Sequence, residues 1–153
     1  MTGTNPVRRA AVTRVLASLV LCLLPIVAQA QGFGALSRLL PEDSRIVASG
    51  DGVSVTLGLS QPVPFRVFTL ADPARVVVDF REVAFGDWPE AQADALPPGI
   101  ASLAAGPARE AGWTRLVLTL TAPLAPRTAA MTTDPASGMA QVAVTLAPVA
   151  EDE

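Results

Sequence analysis

Leu57-Gly58-Leu59-Ser60-Gln61-Pro62-Val63-Pro64-Phe65-Arg66 returns 61 residues further on as Leu118-Thr119-Leu120-Thr121-Ala122-Pro123-Leu124-Ala125-Pro126-Arg127. The correspondence continues. Asp72-Pro73 matches Asp134-Pro135 with one residue inserted, and Val76, Val78 and Phe80 match Val142, Val144 and Leu146. Each unit reads as strand, proline break, strand, Asp-Pro turn, strand. A weaker strand precedes each set, at residues 45–48 and 100–105. Apolar and polar residues alternate with the period of two that marks a half-buried strand. Two copies of about four strands, each apolar on one side, satisfy their burial by packing face to face. The expected fold is all-β: a β-sandwich of two roughly four-stranded sheets with internal pseudo-twofold symmetry.

The connections support this reading. In Ala71-Asp72-Pro73-Ala74 the Asp bonds the backbone ahead of it and the Pro presets φ, which makes a turn. Asp72 and Asp134 are therefore turn formers. Arg66 and Arg127 occupy equivalent repeat positions, which favours a structural job beside the proline breaks. Residues 86–99 hold Gly, Trp88, three Pro and three acidic residues, and read as a long connection with a short helix at 90–95. Residues 31–43 read as a lead-in with one helical turn at 36–40, stopped by Pro41. Parity sorts the strand residues. Val76, Val78, Phe80, Leu116, Leu118 and Leu120 point into the core. Arg75, Asp79 and Arg81 share an outer face with Val77, and Trp113 and Arg115 point outward with Val117 and Thr119. Trp88 is expected as a lid over the core.

Composition removes whole classes of chemistry. The 153 residues include no His, no Lys, no Tyr and one Cys, and every positive charge is an Arg. Without His there is no His-based triad, imidazole acid–base pair or His-containing metal site. Without Lys there is no Walker A loop and no Schiff base. No catalytic residue, cofactor or metal is expected on this chain. A carboxylate-only hydrolase is disfavoured, because the acidic residues cluster in 86–99 and at the C-terminus instead of facing one another across a cleft.

The first thirty residues read as an address. Arg8, Arg9 and Arg14 precede an apolar run at 15–27, and Ala28-Gln29-Ala30 fits a small-x-small cleavage site. The run falls short of the ~20 apolar residues of a comfortable membrane span, and Pro25 breaks it. Residues 1–30 are thus expected to be a signal peptide, with no stable membrane span after cleavage. Cleavage would remove the only Cys and leave 8 Arg against 14 Asp and Glu, a formal charge of −6. Such an acidic chain is a poor partner for nucleic acid or anionic lipid by bulk electrostatics. The remainder divides into the lead-in at 31–43, the sandwich at 44–148 and an acidic tail or linker stub at 149–153.

Residues 55–80, VTLGLSQPVPFRVFTLADPARVVVDF, resemble the AMIN domain. The likeness is carried by Leu57, Leu59, Ser60, Pro62, Val63, Phe65, Arg66, Phe68, Leu70, Asp72, Pro73, Arg75, Val76, Val78, Asp79 and Phe80, and it continues through Trp113-Thr114-Arg115-Leu116-Val117-Leu118. The AMIN domain stands between the signal peptide and the zinc-dependent catalytic domain of periplasmic N-acetylmuramoyl-L-alanine amidases, and also occurs in pilus secretins. The resemblance implies a symmetric two-sheet sandwich, a periplasmic location, peptidoglycan as partner and recruitment to the division septum. It also implies cell-envelope or division proteins as further partners. The His and Glu zinc ligands of the amidases have no counterpart here, so these residues are not expected to hydrolyse the muramoyl–alanine amide. The chain is either a stand-alone targeting module or the N-terminal part of a longer amidase.

Peptidoglycan offers sugar faces, peptide amides and carboxylates. Trp stacks on the C–H face of a sugar, and Arg takes a carboxylate bidentately. Trp113, Arg115, Arg75 and Arg81 are therefore the candidate ligand-binding residues, on an outer sheet face. The structural alternative has Arg75 and Arg81 pairing with Asp79 and Trp113 capping one end of the sandwich. A second function class is a protein-docking domain of an envelope assembly such as a pilus secretin. Its weak strands near 45–48 and 126–131 would serve as open edges for a partner strand.

Overall fold

The computed structural model describes residues 36–149. The expected signal peptide and residues 150–153 of the expected tail lie outside the described residues. Among the described residues nine strands run in order: β1 (Ser37–Ser49), β2 (Gly52–Leu59), β3 (Phe65–Leu70), β4 (Arg75–Arg81), β5 (Val83–Ala84), β6 (Ile100–Pro107), β7 (Trp113–Leu120), β8 (Leu124–Thr133) and β9 (Ala140–Pro148). A one-turn helix, α1 (Trp88–Ala91), and a 3₁₀ turn (Ala93–Ala95) fill the long connection between the halves.

The strands form two sheets, ordered β5-β1-β2-β9-β8 and β3-β4-β7-β6. Exchanging β1 with β6, β2 with β7, β3 with β8 and β4 with β9 converts the four main strands of one sheet into the other. The register obeys the same exchange. Val55 lies opposite Val144 and Leu57 opposite Val142; their repeat equivalents Leu116 and Leu118 lie opposite Val78 and Val76. The pseudo-twofold seen in the sequence is therefore built into the ladders. The halves do not make one sheet each, as the face-to-face expectation had it. Each half gives one hairpin to each sheet, because the Pro62–Pro64 and Pro123 breaks carry the chain across the sandwich where a Pro cannot donate to a ladder.

The core lies between the sheets. Val53, Val55, Leu57 and Leu59 from β2 meet Val76, Val78 and Phe80 from β4, Leu116 and Leu118 from β7, and Val142, Val144 and Leu146 from β9. Every inward assignment made by parity holds. Burying each such side chain contributes about 1.5–3 kcal/mol. Phe80 stacks on Phe65 and meets Phe85 edge-on, with centroids at 6.2 and 5.8 Å. Trp88 is buried against the same cluster, as a lid should be.

The helical turn expected at 36–40 is strand instead. Leu39 turns inward opposite Leu59, and the Ser37 hydroxyl donates to the Gln61 carbonyl at 3.1 Å. A single isolated helical turn carries the full cost of nucleation, while ladder bonds to β2 satisfy the same backbone. Pro41 sits in a bulge of β1 between Leu40 and Arg45. The Ser44 hydroxyl bridges that bulge, donating to the Leu40 carbonyl at 2.7 Å and accepting the Gly58 N–H at 3.0 Å. The bulge folds so close over β2 that a Cβ at position 58 would lie 2.5 Å from that of Asp43, and only glycine fits.

Candidate functional site

The turn at residues 71–74 fixes the β3–β4 hairpin so that Leu70 faces Arg75 and Arg66 faces Asp79. Across the next ladder Asp79 faces Arg115, which faces Gly106 on β6. Arg66, Asp79, Arg115 and Gly106 therefore form one row across the outer face of the four-stranded sheet. Phe68, Val77, Val117 and Ala104 form the next row, and Arg81 faces Trp113 on the other side.

Asp79 is fully buried and is the only buried charged residue among the described residues. Both of its oxygens are engaged by Arg115: Nε to Oδ1 at 2.7 Å and Nη2 to Oδ2 at 2.9 Å. Arg66 adds Nε to Oδ2 at 3.1 Å. The Arg115 hydrogen bonds hold the Asp79 carboxyl below the ordinary carboxylate value, with help from Arg66 and against the effect of burial. Asp79 in turn raises the Arg115 guanidinium. Glu110, on the β6–β7 connection, completes the group by accepting from Arg66 Nη2 at 3.1 Å. Two carboxylates and two guanidiniums leave the network neutral.

Aromatic rings support both guanidiniums. Arg66 lies over the Trp113 ring at 4.4 Å and Arg115 over Phe68 at 5.3 Å. Trp113 is half-buried, and its indole N–H has no partner among the described residues. Val77 is fully buried between Phe68 and Val117, although it stands on the outer side. The result is a stiff face with an apolar ledge beside a charged row.

The structure brings together three of the four candidate residues: Trp113 and Arg115 alternate along β7, and Arg81 lies opposite Trp113 on β4. Arg75 instead binds its own turn, donating to the Pro73 and Ala71 carbonyls at 3.1 and 3.4 Å. It stands four residues from Asp79 along β4, about 13 Å by strand geometry. Arg81 is exposed at the end of β4 opposite Trp113. Neither takes Asp79, whose oxygens are claimed by Arg115 and Arg66. Sequence reasoning missed Arg66, Phe68 and Glu110. It assigned Arg66 a job beside the proline break, a role its repeat equivalent Arg127 does fill by donating to the Pro148 carbonyl at 3.3 Å. The available signal for Arg66 was the length of the Asp-Pro turn, which sets the hairpin register.

The pseudo-twofold holds in the core and fails on this face. The equivalents of Asp79 and Arg115 are Thr145 and Ser54, which also lie opposite one another. The equivalent of Trp113 is Gly52, where an added Cβ would run into the Leu146 carbonyl. The five-stranded sheet thus presents Ser54 and Thr145 where the four-stranded sheet presents the Arg115–Asp79 pair.

No curated protein matches the chain. A protein-family model described as AMIN domain matches residues 43–146.

Proposed function

The chain belongs to the AMIN domain family, and from that premise we propose that it is a non-catalytic module that binds peptidoglycan through the outer face of its four-stranded sheet. AMIN domains are known as peptidoglycan-binding and targeting modules of amidases and secretins, and they occur in extracytoplasmic envelope proteins. The finer reading is a periplasmic targeting module of the amidase type, which directs a hydrolase to the septal wall.

The observation that carries the choice of face is the broken symmetry. The core residues of β2, β4, β7 and β9 obey the twofold. Asp79, Arg115 and Trp113 have no counterparts, their places being taken by Thr145, Ser54 and Gly52, so the fold itself does not require them. Beside the row, Phe68, Val117 and Ala104 offer an apolar ledge to the C–H face of a sugar, and the guanidiniums offer donors to amides and carboxylates.

The test compares two exposed alanines. Ala104→Glu places a charge on the proposed face, and Ala143→Glu places the same charge on the other sheet. Pelleting with purified, protein-free sacculi should be lost in the first and kept in the second, with both variants folded by circular dichroism. Loss only in Ala143→Glu would assign binding to the opposite face.

One observation favours strand addition by a partner protein as a second reading. Residues 45–48 and 126–131 do lie at the borders of the five-stranded sheet, and among the described residues β8 has no strand on its far side from β9. A domain working in that way would stay in the supernatant with protein-free sacculi.

A further inference from the structure

The charged row contains one buried carboxylate and two guanidiniums. Arg115 spends its fork on both oxygens of Asp79. Arg66 shares only Oδ2 of Asp79, and its side chain is 45% exposed. One positive charge therefore remains to be balanced from the solvent side, and the group that balances it is Glu110. That residue is exposed and belongs to the five-residue connection between β6 and β7.

We propose that Arg66 is a carboxylate-binding residue and that Glu110 occupies its site in the free protein as a tethered competitor. The incoming group is a carboxylate such as the free ends of cell-wall stem peptides carry. This deepens the proposed function and rests on it for the source of the ligand. The chemistry of the site itself rests on geometry.

Three features argue for exchange. The Arg66 guanidinium is fixed without Glu110, by Asp79 at 3.1 Å on one edge and by the Trp113 ring at 4.4 Å on one face. A carboxylate arriving from outside thus meets a donor already oriented for it. Glu110 holds Arg66 by one contact of 3.1 Å from an exposed loop, and ion pairs of that kind are weak enough to trade partners. The loop also keeps the competitor close. Glu110 accepts the backbone N–H of Trp113 through its carbonyl at 3.2 Å, so its side chain is returned to Arg66 whenever a ligand leaves. A ligand carboxylate replacing Glu110 preserves the charge balance of the row, whereas a neutral sugar alone would not displace it.

Glu110→Gln removes the competitor and keeps the size of the side chain. The first probe is sodium acetate, titrated against sodium chloride at constant ionic strength, with the Trp113 indole and Arg66 Nε–H signals followed by NMR. The expected result is saturation in Glu110→Gln at about two- to five-fold lower acetate than in the wild type, the factor by which an exposed ion pair competes. The second probe is pelleting with native sacculi and with sacculi whose stem-peptide carboxylates have been amidated. The variant should pellet more tightly than the wild type with native sacculi and equally with amidated ones. An acetate response that is absent or unchanged in the variant overturns the inference, even if both proteins pellet. A gain that survives amidation also overturns it. An acetate gain with no pelleting of either protein upholds the carboxylate site and refutes the peptidoglycan reading.

Discussion

Replacing Arg115 by Ser should unfold the domain far more readily than replacing Arg115 and Asp79 together. The single change removes the donors at 2.7 and 2.9 Å and leaves a fully buried carboxylate with Arg66 as its remaining partner. Breaking one side of a buried ion pair costs about 3–5 kcal/mol. Because Arg66 keeps one bond to Oδ2, the loss should fall at the lower end, about 3 kcal/mol. The double variant Asp79→Thr/Arg115→Ser installs the pair already present at the equivalent place in the other sheet, where Ser54 faces Thr145. It leaves no uncompensated charge, and its β-branched Thr suits a strand. Its stability should lie within about 1 kcal/mol of the wild type, so that removing Asp79 as well restores about 2 kcal/mol of what the single change loses. Urea unfolding followed by tryptophan emission measures both, with equal slopes required before midpoints are compared. A double variant no more stable than the single one would refute the claim that the row is foreign to the fold. The same double variant, folded, should fail to pellet with sacculi.

Three further outcomes follow from the geometry. The Asp79 pKa is lower in the folded chain than the ordinary carboxylate value, so its contribution is complete above about pH 4 and is lost as the pH falls through the folded value. Between pH 5 and 2 the wild type should therefore lose more stability than Asp79→Thr/Arg115→Ser; Asp134, also lowered by its bond from Ser137, is common to both and cancels. Trp88→Ala opens the core beneath the lid and should cost about 3–5 kcal/mol in denaturant melts; a loss under 1 kcal/mol would mean the lid is not part of the core. Gly58→Ala drives a Cβ into Asp43 and displaces the bulge that Ser44 bridges. It should cost about 1–3 kcal/mol, read as a lowered thermal midpoint.

Strand content and facing were legible because they are local. FRVFTL and RVVVDFR form β3 and β4, and the alternation of Val76, Val78 and Phe80 gave the core side directly. The repeat gave the symmetry. It did not give the interleaving, since equivalence of positions does not say which hairpins share a sheet; that is decided by where the prolines send the chain. Residues 36–40 misled because Leu39 and Leu40 beside a Pro suit the end of a helical turn as well as a bulged strand. Trp113 and Arg115 were placed on the outer face by parity alone. Arg66 needed register as well, and Glu110 needed the path of the β6–β7 connection, which no periodicity encodes.

The interleaving of the halves has a consequence for how the domain comes into being. β2, near one end, is zipped along its length to β9 at the other, with Val53 opposite Leu146. Until the last hairpin is available, the first hairpin has a bare flank and half a sheet. Contacts between such distant parts of a chain form slowly, because loop closure must precede the reward. The polypeptide therefore matures as a unit and not from front to back, and a product that stops before β9 is an open sheet edge, not a smaller version of the protein.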